Sequence, residues 1–223
     1  MTEQRGGSGL ASVLRIQGVL VAIALSAGLA IALVHEWTRP MVMAQRGGLL
    51  GDAALEVMPG AASYRIYVRS ADGGLRPMGD DDTPELFIGL DEGGRIVGAA
   101  VVGSGMGYAD VIQLVYGVDP AAGRLTGMRV VASRETPGLG SVIVDDKDWV
   151  DTFTRIHLPF DGEQNLRNLR VRSNANHEQG EVDAISGATV SVVSVTRIIS
   201  SSLADWLPIL KAEFDELSGG DRG

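Results

Sequence analysis

An uncharged apolar segment near the start of the chain restricts its folding more than any other feature. The nineteen residues 16–34 read IQGVLVAIALSAGLAIALV and carry no formal charge. As an α-helix they span about 28 Å, close to the thickness of a bilayer's hydrocarbon core. Arg15 ends the segment on one side, and Trp37 follows it where an interfacial aromatic residue is expected. The pattern predicts a transmembrane helix over residues 16–34.

A cleaved signal peptide is the competing interpretation of this segment. It requires an apolar region of about 7–15 residues followed by a small-x-small cleavage site. The run here is longer, and its flank HEWTRPMVMAQ offers no good site, so the sequence favours a retained anchor. Small residues at Ala24, Gly28 and Ala32 are either a helix-packing strip or the ordinary alanine content of a membrane helix.

The distribution of charge bears on orientation and on partners. The formal net charge is −9, with +2 on residues 1–46 and −11 on the remainder. An acidic domain repels phosphate backbones, so no nucleic-acid partner is expected. The positive-inside rule favours a cytoplasmic amino terminus only slightly, because Arg5, Arg15 and the terminal amine precede the helix and Arg39 and Arg46 follow it.

These observations predict a single-pass protein of the cell inner (cytoplasmic) membrane. Its expected parts are a cytoplasmic tail over residues 1–15, the helix, a periplasmic domain over residues 35–217 and a disordered tail over residues 218–223. The chain has no cysteine, which excludes disulfides and cysteine-ligated clusters, and its three histidines lack ligand spacing. No metal site is therefore predicted.

The remainder of the chain reads as an α+β domain. A helical period begins at Arg46 and ends at Pro59-Gly60. Residues 84–132 read as an antiparallel meander, because no helix long enough for a parallel crossover separates the strands. The predicted strands are separated by Gly- and Asp-rich turns and cover residues 63–68, 85–90, 95–102, 111–118 and 125–132.

Helices and loops are predicted after the meander. Asp145 and Asp146 can cap a short helix through Thr152 or Phe153, and residues 160–182 read as loop. An amphipathic C-terminal helix follows, disturbed at Pro208, with apolar residues every three or four positions.

The segment before that last helix carries the chemistry. It reads DAISGATVS over residues 183–191, a helix start with a glycine and several hydroxyl side chains. Unpaired amides and the helix dipole make such a start a binding place for an anion, commonly a phosphate. Ordinary N-capping by Ser186 or Thr189 is the plainer interpretation from helix chemistry alone.

This segment resembles a known flavin-attachment motif. Asp183-x-x-Ser186-Gly187-Ala188-Thr189 is similar to the flavinylation motif of the FMN-binding domain family, found in the G subunit of Rnf-type electron transport complexes and in the C subunit of sodium-pumping NADH:quinone reductases. The resemblance implies that the Thr189 hydroxyl carries FMN covalently as a phosphoester. It also implies that a magnesium-dependent flavin transferase supplies the group from FAD.

A second segment resembles the same family. Glu135, Thr136, Pro137, Gly138 and Leu139, followed by Gly140, are similar to the family loop that borders the isoalloxazine ring. Pro-Gly is a tight-turn signal that can bring backbone N–H groups to a ligand, and Leu139 could pack on the ring. A third stretch, residues 105–112, resembles a Gly-Tyr-x-Gly-x-Ile segment, but Asp110 replaces its glycine, which leaves flavin contact by Tyr108 open.

The resemblance implies an electron-relay protein of a complex that couples NADH/ferredoxin electron transfer to sodium or proton movement. The expected partners are the other membrane and cluster-bearing subunits, the flavin transferase and lipid. Chain length favours the Rnf-type G subunit over the C subunit of the quinone reductase. A membrane-tethered assembly or binding module without a redox role is the alternative of another class. The predicted fold is α+β: a single N-terminal transmembrane helix, one antiparallel-sheet FMN-binding domain and the C-terminal amphipathic helix.

Overall fold

The computed structural model describes residues 7–80, 82–163 and 165–219. Contacts divide the chain into two units, Met1–Arg46 and Gly47–Gly223. Helix α1 (Gly7–Val57) contributes to both, so the helix predicted to begin at Arg46 is the continuation of the one that contains residues 16–34. Parts of the predicted tails, residues 1–6 and 220–223, lie outside the described residues.

The first unit presents an apolar helical surface. The stretch Arg15–His35 has a mean hydropathy of 2.3 and none of it is buried. A second stretch, Thr189–Phe214, is also long and apolar enough to cross a membrane, but 61% of its most apolar part is buried in the second unit. The second stretch is thus a core helix, whereas the first keeps the exposed apolar surface that a membrane anchor requires.

The second unit is built on a six-stranded antiparallel sheet. Its order is β2-β1-β3-β4-β5-β6, so the last four strands form the predicted meander. The strands are β1 (Ser63–Arg69), β2 (Leu75–Pro77), β3 (Leu86–Leu90), β4 (Ile96–Met106), β5 (Val111–Asp119) and β6 (Arg124–Ala132). All five predicted strands are confirmed, and β2 is an additional short edge strand.

Successive side chains of a strand point to opposite faces of the sheet. In this sheet both faces are buried, each in its own hydrophobic cluster. Leu86 and Ile88 of β3 face the main core, which includes residues of the C-terminal helix, whereas Phe87 between them packs with Ala54 and Val57 of α1. The end of α1 approaches the sheet closely at Gly117, where a Cβ would collide with the Val57 carbonyl oxygen. The Thr126 hydroxyl donates to that same oxygen at 2.5 Å.

Short helices follow the sheet. The predicted helix is α3 (Lys147–Thr152), capped by Asp146, whose side chain accepts from the Trp149 amide. It is preceded by α2 (Val142–Asp145) and followed by a 3₁₀ turn, Phe153–Arg155.

The segment predicted as loop contains two strands. β7 (Arg170–Arg172) and β8 (Glu181–Asp183) pair in parallel, and a 3₁₀ turn at His177–Gln179 lies between them. Three-residue strands are too short to show the alternation that identifies a strand in sequence.

The C-terminal helix is α4 (Thr189–Gly219), and it continues through Pro208. Pro208 and Ala204 are both exposed, so the carbonyl that loses its intrahelical partner can bind water. The predicted disturbance therefore does not end the helix.

Candidate functional site

Thr189 is the first residue of α4 and its side chain is exposed. Gly187 precedes it with φ +84°, a left-handed conformation that glycine adopts without strain. Ala188, between them, is buried at 3% exposure and holds the turn against the core. The sequence thus brings a threonine hydroxyl into solvent at the mouth of a fixed helix.

The backbone at this helix start is open. The first amide to close a helical bond is that of Val192, which donates to Ala188 at 3.0 Å. Within the described part of the chain, the amides of Thr189, Val190 and Ser191 have no hydrogen-bond acceptor. Three unpaired donors at the positive end of a long helix favour an anion beside the Thr189 hydroxyl.

The capping interpretation is wrong for this helix. Over the ranges that the structure describes, neither Ser186 nor Thr189 forms a side-chain hydrogen bond. An N-cap would accept from an amide two or three residues further along, and these are the amides that stay open. Both hydroxyl groups are exposed and free to meet a ligand.

The loop after β6 contains the predicted tight turn. The Leu139 amide donates to the Thr136 carbonyl at 3.2 Å, and Gly138 has φ +74°, as its place after Pro137 requires. The Gly138 amide donates to the Ser141 hydroxyl at 3.0 Å. The amides of Gly138 and Leu139 are thus bonded inside the loop.

Glu135 ties this loop to two distant segments. One carboxylate oxygen accepts from the amides of Tyr108 and Ala109 at 2.9 and 3.0 Å. The other accepts from the Ser191 hydroxyl at 2.5 Å. The side chain connects the β4–β5 turn, the 135–140 loop and the first turn of α4, which are the three segments around Thr189.

The electrostatics of Glu135 follow from these bonds. The residue is 6% exposed, and burial on its own disfavours ionisation and raises the pKa. The hydrogen bonds from Ser191 and from the Ala109 and Tyr108 amides outweigh burial and hold the pKa of Glu135 below its ordinary value. The side chain is therefore a buried carboxylate at neutral pH.

The three segments enclose a cleft of about 340 Å³. Of the predicted site residues, Glu135, Thr136, Leu139, Gly187, Ala188 and Thr189 line it, whereas Ser186, Pro137 and Gly138 do not. Tyr108, Gly140, Val190 and Ser191 also line the cleft and were not predicted as site residues. Ser191 lies in the quoted motif, and Tyr108 lies in the third resembling segment, so signals for both existed in the sequence.

Asp110, which replaces the family's glycine, is accommodated in the turn beside the cleft. Its carbonyl oxygen accepts from the Gly107 amide at 2.9 Å, and its side chain accepts from the Val111 amide at 2.7 Å. Tyr108 remains 71% exposed at the rim of the cleft, together with Leu139 at 52% and Val190 at 50%. Three exposed apolar side chains thus surround a polar centre.

Residues 107–204 match the FMN-binding domain family. The matched range contains Thr189, the 135–140 loop and every residue of the cleft. The fold and the site therefore define a protein with an FMN-binding domain.

Two relatives identify the family more closely. The G subunit of the ion-translocating oxidoreductase complex of Pseudomonas aeruginosa is 30% identical over 176 residues, which are 78% of each chain. The G subunit of the Na⁺-translocating ferredoxin:NAD⁺ oxidoreductase complex of Acetobacterium woodii is 28% identical over 86% of this chain and 90% of that one. The chain belongs to this family, the G subunits of ion-translocating oxidoreductase complexes.

A solved structure shares the fold. The C subunit of the Na⁺-translocating NADH-quinone reductase of Parabacteroides distasonis matches 66% of this chain and 78% of its own, with a TM-score of 0.53 and 19% identity. At that identity the likeness concerns the backbone arrangement alone.

Proposed function

We propose that this chain is the electron-relay subunit of a membrane complex that couples electron transfer between NADH and ferredoxin to sodium or proton translocation, and that it carries FMN esterified through its phosphate to Thr189. The observation that supports this most strongly is the Thr189 hydroxyl. It is exposed, it has no acceptor or donor among the described residues, and it stands beside three open amides. Membership of the G-subunit family supports the electron-transfer role.

The residues around Thr189 suit a phosphoester. A phosphodiester keeps one negative charge, and the open amides of Thr189, Val190 and Ser191 are donors that can stabilise it. Gly187 lies beside the rim of the cleft, since a Cβ there would contact Leu139 at 3.5 Å. Ser186 is exposed on the same turn but does not line the cleft, so it is not one of these donors.

The apolar rim suits the ring system of the cofactor. Leu139, Val190 and Tyr108 surround the cleft with half or more of each side chain exposed, so a flat aromatic ligand can cover them and still meet solvent. When bound, FMN supplies reversible transfer of one or two electrons, and the protein supplies position and electrostatics. A covalent link makes tight enclosure unnecessary, which agrees with a cleft open to solvent.

Glu135 acts in this scheme as a positioning residue. Its carboxylate is hydrogen-bonded to both the β4–β5 turn and the start of α4, so the distance between the rim of the cleft and Thr189 is fixed. It also leaves a negative charge beside the cleft, which disfavours a negatively charged reduced ring and lowers the reduction potential.

The membrane arrangement is part of the proposal. The helix at residues 16–34 anchors the chain as a single span, and the domain over residues 35–217 lies on the periplasmic side. The exposed apolar surface of Arg15–His35 supports the anchor. The orientation is supported by the terminal amine, which adds to two arginines before the helix against two that follow it. A flavin transferase loads the cofactor, and the other subunits exchange electrons with it.

Two alternatives lead to different observations. The C subunit of a sodium-translocating NADH:quinone reductase has fold-level support from the Parabacteroides structure, but not the sequence support that the G subunit has. Co-purification with a cluster-bearing ferredoxin-type protein favours the G subunit. A tethered binding module without a redox role predicts a colourless protein.

The test is flavin retention under denaturing conditions. The full chain is expressed in membranes with a flavin transferase, run on a denaturing gel and examined for fluorescence. Wild type and the control Ser186→Ala are expected to fluoresce, and Thr189→Ala is expected to be dark at the same protein level. Fluorescence of Thr189→Ala equal to wild type, or a dark wild-type band, contradicts the proposal.

A further inference from the structure

A second cleft lies away from the flavin site, between β7 and α4. It encloses about 730 Å³ and shares no lining residue with the cleft at Thr189. One wall is formed by Asn168–Arg172, and the other by the outer face of α4 from Val193 to Asp205. A groove between a strand and a helix is a common place for an extended peptide to dock.

The strand edge that faces this groove is open. β7 pairs with β8 through Arg170 and Arg172: the Arg170 amide donates to Gly180 at 3.0 Å, and the Arg172 carbonyl accepts from Ala184 at 2.9 Å. Because backbone groups alternate along a strand, those of Val171 point away from β8. The Leu169 amide, which points the same way, donates to the Ser200 hydroxyl of α4 at 3.0 Å, so that direction is toward the helix.

No second strand occupies this edge. Within the described ranges of the chain, β7 belongs to a two-stranded sheet whose only other member is β8. The Ser200 hydroxyl accepts from the Leu169 amide at one end of the edge. The Val171 N–H and C=O have no strand partner along the groove. An unpaired edge beside a helix offers main-chain donors and acceptors to a further strand.

The charge of the groove is opposite to that of the domain. Arg170, Arg172 and Arg197 line it against a single acid, Asp205, whereas residues 47–223 as a whole are strongly acidic. Arg170 and Arg172 share one face of β7, being two residues apart. Among the described residues neither Arg170 nor Arg197 forms an ion pair, and Arg172 meets Glu181 only at 3.6 Å.

We propose that this groove binds an extended acidic polypeptide segment of a partner protein, which adds a strand to the free edge of β7 and sets its carboxylates beside Arg170, Arg172 and Arg197. The open edge offers hydrogen bonds to a main-chain partner, and the arginines can pair with carboxylates at alternate positions of that partner. A small anion satisfies the arginines but leaves the strand edge unpaired. The groove is separate from Thr189, so the proposal stands or falls independently of the flavin.

The test uses the full chain in detergent and a fluorescein-labelled peptide amide, SEVEVES, followed by fluorescence anisotropy. Two further peptides serve as probes of the mechanism: SKVKVKS reverses the charge, and SEVEVES N-methylated at its glutamates and valines cannot donate main-chain hydrogen bonds. The double variant Arg170→Gln/Arg197→Gln removes the two unpaired cations. Arg65→Gln/Arg155→Gln is the matched control, because it removes two exposed arginines elsewhere on the domain.

We expect SEVEVES to bind the wild type and the control equally, with affinity that falls as salt rises. The double variant in the groove should weaken binding about tenfold, the effect of two exposed ion pairs. SKVKVKS and the N-methylated peptide should not bind measurably. Absence of SEVEVES binding, equal binding of SKVKVKS, or no effect of the groove variant overturns the proposal. Equal binding of the N-methylated peptide also overturns it, because that result identifies an anion site without strand addition.

Discussion

Replacing Glu135 by glutamine tests how the cleft is held together. The substitution keeps the shape of the side chain and removes its charge. The carboxylate accepts three hydrogen bonds, from the Tyr108 and Ala109 amides and from the Ser191 hydroxyl. Glutamine has one carbonyl oxygen for the two amides, and its amino group can only donate toward Ser191.

The magnitude follows from the number and type of these bonds. A hydrogen bond to a charged group contributes about 1.5–3 kcal/mol and a neutral one about 0.5–1.5, so three bonds lose about 3 kcal/mol together. Burying a neutral amide costs less than burying a carboxylate, which returns part of the loss. We expect Glu135→Gln to lower the free energy of unfolding by about 2 kcal/mol, or the melting temperature by about 4–8 °C for a unit of this size.

The assay is urea unfolding of the full chain in detergent, followed by tryptophan fluorescence. Trp149 and Trp206 are buried in the second unit and report its unfolding, whereas Trp37 is already 79% exposed. Glu92→Gln is the matched control, because Glu92 is exposed in the β3–β4 turn. It should change the free energy of unfolding by less than about 0.5 kcal/mol.

A Glu135→Gln protein as stable as Glu92→Gln refutes the assignment of Glu135 as the residue that joins the three segments. Ser191→Ala offers a second measurement on the same bond and should lose about 1–2 kcal/mol. If Ser191→Ala and Glu135→Gln are additive in the double variant, the two side chains do not interact as the structure indicates.

Four further predictions concern pH, the site, the packing of α1 and the membrane. The folded-state pKa of Glu135 is lowered, so its stabilising contribution is present above the ordinary carboxyl pKa and is lost as pH falls through the folded value. The difference in free energy of unfolding between wild type and Glu135→Gln should therefore shrink below about pH 4, as measured by urea titrations at stepped pH. Thr189→Ala should unfold within about 0.5 kcal/mol of unflavinylated wild type, since the hydroxyl makes no internal bond, and a larger loss measured in urea contradicts a purely functional role. Gly117→Ala should cost about 3 kcal/mol because its Cβ meets the Val57 carbonyl, whereas Gly60→Asn, at an open position with φ +89°, should cost less than about 1 kcal/mol by the same assay. The chain has no cysteine, so a single Glu92→Cys variant should react with a membrane-impermeant maleimide in intact cells with a permeabilised outer membrane, and labelling only after lysis contradicts the periplasmic placement.

Local sequence patterns predicted most of the fold. The central strands were predictable because short runs rich in apolar and β-branched residues lie between turn signals, as in residues 111–118, which end at Asp119-Pro120. The Asp146 cap of α3 was predictable because capping depends on residues three positions apart. β7 and β8 could not be predicted, since three residues show no period and parallel pairing is set by the surrounding packing.

The candidate site was predictable in its motifs but not in its internal contacts. Thr189 and the Pro137-Gly138 turn lie in short segments whose residues carry a recognisable signal. The role of Glu135 depends on Tyr108 and Ser191, which are 27 and 56 residues away, so no local pattern encodes it.

The central claim is that one hydroxyl group at the start of α4 carries FMN covalently. The most direct measurement is tandem mass spectrometry of the tryptic peptide covering residues 173–197, taken from protein produced in membranes with a flavin transferase. We expect this peptide to be heavier by one FMN less one water, with fragment ions that locate the addition on Thr189 and not on Ser186. Detection of this peptide only in its unmodified form, or an addition located on any other residue, contradicts the account.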